Sequence, residues 1–305
     1  MTERSDKPGI VVLGSPRSGT TLLRRILDAH PAIACPGETN LFTGCGRFLR
    51  EERMADGTAI GAPSGLSFMG VEPGRLLADM RRLAFTYLDE YAASKGKQRW
   101  AEKTAFNAFY LDELEPLWSD NVVFVVILRH GLDVAGSIRD LSDANGAYLD
   151  EIHDYLHSEP VPLVAFAKVW VDLTEKLLDF QARHAGRAVL LRYENLVRDP
   201  EAELGRMFEF LQESWSPEML ASALGSFDNI GLGDWKTYER KTITDQSVDK
   251  WRRIPTHLLE RLATVVNPTL ERCGYAPVES SAGDDDDARR RYELSLLLGR
   301  LKSGE

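Results

Sequence analysis

Eight residues constrain this chain more than any others. Gly14-Ser15-Pro16-Arg17-Ser18-Gly19-Thr20-Thr21 follows a short apolar run, Gly9 to Leu13, that suits a buried parallel strand. Behind the octet, Thr21 to Asp28 carries Leu22, Leu23, Ile26 and Leu27 at helical spacing, and His30 and Pro31 end the pattern. Strand, glycine loop and helix in that order form a turn whose backbone amides converge on an anion. Glycine at 14 and 19 lets the main chain approach such a ligand closely. A plain strand-to-helix turn needs a glycine but not the whole octet. The glycine spacing matches the nucleoside-triphosphate loop G-x-x-x-x-G-K-[ST], yet Thr20 stands at the lysine position and the cation is Arg17, within the turn. ATP or GTP hydrolysis is disfavoured for lack of that fixed ammonium. An arginine inside the loop suits the two acidic groups of a shorter 5′-diester, such as a phosphosulfate.

The rest of the pattern predicts an α/β fold. Asn121 to Leu128 is continuously apolar from Val122, so both faces of that strand should be covered. It runs through Arg129, His130 and Gly131 into a helix over Leu132 to Leu141. A third strand is expected at Ala188 to Arg192, with a helix over Pro200 to Leu211. Strands alternating with helices indicate a three-layer α/β/α domain with a central parallel sheet of the phosphate-loop type. Between the first helix and Trp100, residues 42–97 read as an insertion. A glycine-rich stretch, Gly57 to Gly74, precedes a helix with Leu76, Leu77, Met80, Leu83, Tyr87 and Leu88 along one face. It is expected to lie over the site, with a long helix from Val161 to His184 in a similar part. The main domain is expected to span 1–278. Beyond it, 279–305 changes character: four consecutive aspartates precede Arg289 to Arg291 and a stripe of Leu294, Leu297, Leu298 and Leu301. That stripe suits a helix packed on its own domain, or one that docks a partner or forms a homodimer.

Composition excludes several classes. The formal net charge of −10 opposes general affinity for nucleic acid. No run approaches the ~20 apolar residues of a membrane span, and Met1 to Pro8 lacks a secretory core, so a cytoplasmic protein is expected. Cys35, Cys45 and Cys273 have no CxxC spacing and read as buried thiols; no His/Cys/carboxylate cluster has ligand spacing, so no metal is expected.

Arg129 stands at the carboxyl end of a predicted strand, where open α/β sheets bind ligands, and Ser137 lies two helical turns further on. A guanidinium there can grip a phosphate through charge-assisted bonds. At this point the chain resembles a known family. Pro16-Arg17-Ser18-Gly19-Thr20-Thr21 is similar to the 5′-phosphosulfate loop of sulfotransferases, and Leu128-Arg129-His130-Gly131 through Ser137 to their 3′-phosphate motif. The resemblance extends over about residues 9–275, with 42–97 outside it. It implies 3′-phosphoadenosine-5′-phosphosulfate as co-substrate, adenosine 3′,5′-bisphosphate as product and a hydroxyl-bearing acceptor. It also implies donor contacts from Arg17, Ser18, Gly19, Thr20, Thr21, Arg129 and Ser137. Tyr193-Glu194-Asn195-Leu196 resembles the family's Y-E-x-L segment, whose tyrosine meets the adenine side; a core tyrosine is the alternative. Gly233-Asp234-Trp235-Lys236 is similar to the family's G-D-W-K. The Arg-Lys-Gly that precedes it elsewhere is Asp228-Asn229-Ile230 here, so further cations are sought in Ser247 to Arg252, chiefly Lys250 beside Trp251.

Sulfuryl transfer needs a base, in-line positioning and neutralisation of charge on the bridging oxygen. Gly37-Glu38-Thr39 offers the base if Ile33–Cys35 is extended and returns Glu38 to the carboxyl edge of the sheet; a locally paired surface glutamate is the alternative. The segment resembles the glutamate motif of tyrosylprotein and related bacterial sulfotransferases, which implies Glu38 as general base. Ala101-Glu102-Lys103-Thr104 resembles E-K-T/S-P, with Ala105 replacing proline, and implies Lys103 as a second cation beside Arg17; an exposed lysine is the plain alternative. His153 and His157 stand in reserve as the base. Two rivals remain at this level: an atypical small-molecule kinase, and a non-catalytic module that binds the bisphosphate nucleotide. Carbohydrate, lipid, phenol, peptide and polyketide acceptors all stay open.

Overall fold

The computed structural model describes residues 6–148, 150–225, 243–279 and Leu294 of the 305. The chain begins with β1 (Gly9–Leu13), α1 (Thr20–Ala29) and β2 (Ile33–Ala34). The insertion follows as α2 (Leu41–Leu49), a hairpin of β3 (Glu52–Arg53) and β4 (Ala59–Ile60), α3 (Ala62–Phe68) and α4 (Pro73–Ser94). Then come β5 (Arg99–Glu102), α5 (Leu111–Trp118), β6 (Val122–Leu128), α6 (Gly131–Asn145), α7 (His153–Ser158) and α8 (Pro162–Arg183). The remainder is β7 (Ala188–Arg192), α9 (Tyr193–Arg198), α10 (Pro200–Phe210), α11 (Pro217–Gly225) and α12 (Thr256–Arg272). Four helices, α4, α8, α10 and α11, open on a proline, whose missing N–H costs nothing at that position. Asp199 caps α10 by accepting from the Ala202 amide.

The main sheet has the order β2-β5-β1-β6-β7, with every pairing parallel. Side chains alternate between its two faces and so feed two cores. Val11, Leu13, Phe124, Val126 and Leu128 point to one, with buried residues of α4, α5, α6, α8 and α12. Ile10, Val12, Val125, Ile127 and Leu191 point to the other, with α1, α9, α10 and α11. This is the predicted three-layer arrangement. With β1 in the middle of the order, the loop after it opens at the carboxyl edge, flanked by the ends of β5 and β6. The edges of the sheet are short or covered: β2 has two residues, and Arg206 donates to the carbonyl of Leu190 in β7.

One expectation needs correction. In α4 the buried residues are Ala84, Leu88 and Ala92, with Leu77 and Met80 against the same core, whereas Leu83 and Tyr87 are exposed. Alanines define that face, and a reading weighted toward large apolar side chains rotates it. α4 packs on β5 and α5 as part of a helical layer of the domain. α8, whose Phe166, Trp170, Leu177 and Phe180 are core, packs against α6 and α12. Of the terminal leucine stripe, only Leu294 falls within the described residues, where it is exposed; Leu297, Leu298, Leu301 and Arg289 to Arg291 lie outside them. No helix among the described residues is long and apolar enough to cross a membrane. All three cysteines are buried free thiols, and burial pushes Cys35 and Cys273 up to about 12.

Trp170 joins the α8 layer to the site. Its indole N–H donates to the Arg129 carbonyl at 3.1 Å, and its ring lies where a Cβ on Gly131 would come within 2.5 Å. Gly131→Ala should therefore destabilise the domain by about 1–3 kcal/mol through overpacking, measured as a lower urea midpoint at unchanged m-value.

Candidate active site

The octet folds as a loop between β1 and α1, and its backbone is bent twice. Arg17 has φ 73° and Gly19 φ 98°, left-handed values two residues apart, an alternation that turns neighbouring amides toward one centre. Ser18 donates its amide to the Ser15 carbonyl at 3.1 Å and closes the turn. For Gly19 the requirement is double, because a Cβ would also meet the Tyr193 ring at 2.5 Å. Arg17 holds a conformation that costs an L-residue about 1 kcal/mol or more, of the kind concentrated at functional sites. Its Nε donates to Ser137 Oγ at 3.0 Å, so the loop and α6 are in direct contact across 120 positions of sequence. Ser18, Thr20 and Thr21 are buried at the start of α1.

Arg129, at the end of β6, binds the loop to the chain's later segments. Its Nη1 donates to the Arg17 carbonyl at 2.8 Å, and its Nη2 to the Ser247 carbonyl at 2.5 Å. The guanidinium carbon lies 4.6 Å from the centroid of the Tyr193 ring, a cation–π contact. Next to it, His130 stacks on Trp251 with centroids 5.0 Å apart and planes 3° from parallel. Burial holds His130 down at about 4, well below an ordinary imidazole. Lys250 is exposed on the same short 3₁₀ turn as Trp251, Lys250–Arg253.

Two carboxylates to which the motifs assign no role, Asp133 and the Glu194 of the Y-E-x-L segment, hold this corner together. Asp133 accepts from the amides of Asp249 and Trp251, both at 2.9 Å, and pins the Trp251 turn to α6. Glu194 accepts from the His130 amide at 2.9 Å and from the Tyr275 hydroxyl at 2.8 Å. An acidic residue in the first turn of a helix is an available signal for Asp133, since it favours the positive helix end. Nothing in the sequence gives its distant partner.

On the other side of the loop, β5 ends at Glu102 and the chain turns through Lys103 and Thr104. Lys103 is 1% exposed and donates from Nζ to Glu38 Oε1 at 2.5 Å. The glutamate and lysine motifs, 65 residues apart, thus form one ion pair beside the phosphate loop. Glu102 is fully buried, and burial raises its proton affinity above that of an ordinary glutamate. His153 and His157 are exposed on α7 with rings 6.5 Å apart. Gly233 to Lys236 and Asp228 to Ile230 lie outside the described residues.

The donor set suits an anionic nucleotide. Arg129 Nε, His130 Nδ1 and Trp251 Nε1 are buried without a hydrogen-bond partner among the described residues, and they gather beyond the carboxyl end of β6. Arg129 Nε and Trp251 Nε1 can only donate, and orphaned buried donors carry a desolvation cost that a bound acceptor group removes. A profile of the sulfotransferase family matches residues 8–217, which takes in the phosphate loop, Glu38, Lys103, Arg129, Ser137 and Tyr193. The chain belongs to the sulfotransferase family.

Relatives of known name agree. The sulfotransferase is 27% identical over 279 residues to nodulation protein NoeE of Sinorhizobium fredii, covering 84% of this chain and 62% of NoeE, so it spans less than two thirds of that relative. Protein-tyrosine sulfotransferase 2 of Gallus gallus is 29% identical over 289 residues, 89% of this chain and 70% of the relative. Among solved structures, the sulfotransferase domain from the Synechococcus PCC 7002 olefin synthase superposes with a TM-score of 0.60 at 25% identity, covering 90% of this chain and 98% of that domain. The domain from the curacin biosynthetic pathway gives the same TM-score at 20% identity and covers 90% of this chain and all of that domain, a likeness of fold.

Two outcomes follow for the sulfotransferase's β6 corner. Asp133→Ala should weaken adenosine 3′,5′-bisphosphate binding by about 10-fold in calorimetry, because the Trp251 turn loses two charge-assisted bonds. The second concerns acid. His130 is neutral in the fold at about 4 and ordinary, near 6.5, when unfolded. The unfolded chain therefore takes up the proton first, so His130's contribution is fully present above about pH 6.5 and is lost as pH falls toward 4. The loss is on the order of 3 kcal/mol. His130→Phe should flatten that part of a urea-midpoint profile; an unchanged slope would assign it to other groups.

Proposed function

We propose that this sulfotransferase moves a sulfuryl group from 3′-phosphoadenosine-5′-phosphosulfate to an acceptor hydroxyl, with Glu38 as general base and Lys103 and Arg17 as the cations at the reacting centre. The contact between Lys103 Nζ and Glu38 Oε1 at 2.5 Å, beside the phosphate loop at the carboxyl edge of the sheet, carries this reading. The loop amides with Ser18, Gly19, Thr20 and Thr21 hold the 5′ end of the donor. Arg129, Ser137, Tyr193, Trp251 and Lys250 serve its 3′-phosphate and adenine side.

In the reaction Glu38 accepts the proton of the acceptor hydroxyl, and that oxygen bonds to sulfur as the bond from sulfur to the bridging 5′-phosphate oxygen breaks. Charge growing on the bridging oxygen meets Arg17 and Lys103, cations held in place by Ser137 and Glu38 before the reaction begins. Adenosine 3′,5′-bisphosphate then leaves with the electron pair of the broken bond. Burial of Lys103 excludes water, so its charge is screened less than it would be at the surface. A tyrosyl hydroxyl is the first acceptor to test, by analogy with the protein-tyrosine sulfotransferase of Gallus gallus; oligosaccharide, lipid and polyketide hydroxyls are the next.

Glu38→Gln keeps the shape of the side chain and removes the base. Its turnover of radiolabelled donor should fall by about 10²–10⁴-fold, with bisphosphate affinity in calorimetry within a factor of about three of the parent. Arg17→Ala should cost about 10²–10³-fold in turnover. A parent protein that is folded yet binds no bisphosphate would end the reading, and retained turnover in Glu38→Gln would move the base elsewhere.

A further inference from the structure

Glu102 is a buried carboxylate that the mechanism does not use. It closes β5, where its backbone pairs with Val11 of β1, and its side chain is turned into a polar network. Three donors converge on it. Thr39 Oγ1 donates to Oε1 at 2.9 Å, Thr104 Oγ1 to the same oxygen at 2.5 Å, and Asn107 Nδ2 to Oε2 at 2.8 Å.

The direction of each bond is set by what lies behind it. The Thr39 hydroxyl accepts from the Leu41 amide at 3.2 Å, and the Thr104 hydroxyl from the Asn40 amide at 3.2 Å. Each hydroxyl therefore has its proton free for Glu102. Asn107 takes the Thr43 hydroxyl proton on Oδ1 at 2.8 Å, which leaves its amide N–H₂ facing the carboxylate. An acceptor-only group is what these neighbours require.

The partners also share a destination. Thr39, Asn40, Leu41 and Thr43 belong to the segment that carries Glu38 from β2 into the start of α2. Asn40 has left-handed backbone, φ 54°, which asparagine adopts more readily than most residues, and the bend leads the segment into α2. Glu102 ties this segment to a strand in the middle of the sheet, and the residue after Glu102 is Lys103. One carboxylate thus sets the position of both members of the reacting pair.

We infer that Glu102 is a positioning residue, whose three accepted hydrogen bonds hold the 38–43 segment against β5 so that Glu38 meets Lys103 at the sulfuryl centre. The inference rests on the assignment of Glu38 as base. Displacement by an ångström at a reacting centre costs about 10²-fold in rate, which is the size of effect expected.

The test uses the full chain in three variants, E38Q, E102Q and the exchange pair E102Q/N107D. In the exchange pair every bond has a counterpart. The carboxamide introduced at position 102 accepts from Thr39 and Thr104 through its oxygen and donates through its nitrogen to the new carboxylate at position 107. That carboxylate in turn accepts from Thr43. Turnover is read with radiolabelled donor and a tyrosyl peptide, an oligosaccharide, or water as acceptor. Bisphosphate affinity is read by calorimetry and the Glu38–Lys103 distance by crystallography. E102Q should lose about 10²-fold in kcat at unchanged bisphosphate affinity, with Glu38 displaced from Lys103. The exchange pair should restore both kcat and distance.

Parental kcat and an intact pair in E102Q would overturn the inference while leaving Glu38 as base, provided E38Q is inactive. Loss of bisphosphate binding together with kcat in E102Q would make Glu102 a general stability element, and failure of the exchange pair to restore the distance would deny that hydrogen bonds do the positioning. An active E38Q would remove the underlying assignment itself. The crystallographic distance answers for Glu102 whichever acceptor is used.

Discussion

The guanidinium of Arg129 is the contact on which the phosphate-loop corner of this molecule depends. It joins three parts of the chain at one point: the phosphate loop through the Arg17 carbonyl, the segment before α12 through the Ser247 carbonyl, and the start of α9 through the face of Tyr193. Each bond uses a charged donor in a buried place, where such bonds are strong and their loss is expensive. The loop's two left-handed residues persist because surrounding structure specifies them. Arg129 and Tyr193 hold it from one side, and Ser137 holds the Arg17 side chain from another.

An acidic protein that handles a polyanion must concentrate its cations, and this one does so by burial. Arg129 and Lys103 are within a few per cent of fully buried although the chain carries a formal charge of −10. Burying a charge is costly unless it is paired and hydrogen-bonded. Here the costs are met by backbone carbonyls for Arg129 and by Glu38 for Lys103. Local affinity for an anion is thereby separated from the sign of the surface as a whole.

How much of this was legible in the sequence varies by kind of feature. The strands β1, β6 and β7 stand out because buried parallel strands read as continuous apolar runs, and α1, α6, α8 and α10 follow from periodicity and proline starts. The loop is legible because glycine spacing and an internal arginine are local facts. Contacts between motifs are not. That Arg17 touches Ser137, or that Glu38 and Lys103 share a hydrogen bond, depends on strand order, and β5 is inserted between β1 and β2 although it follows them in sequence. The roles of Asp133, Glu194 and Glu102 escape a motif reading for the same reason, although two of them lie inside recognisable motifs, since each acts on a backbone amide or hydroxyl far away in sequence. Periodicity misplaces the face of α4 because alanines, which carry no strong apolar signal, make the closest approach to the core.

The two edges of the sheet have a bearing on how this protein meets others. An exposed strand invites another chain to extend the sheet by hydrogen bonding. Here one border strand is only two residues long, and at the other a guanidinium from α10 already occupies an outward carbonyl. Neither border offers a docking strand with a full row of open amides and carbonyls. Among the described residues, extension of this sheet by a further strand would thus meet a two-residue border on one side and a border with an occupied carbonyl on the other.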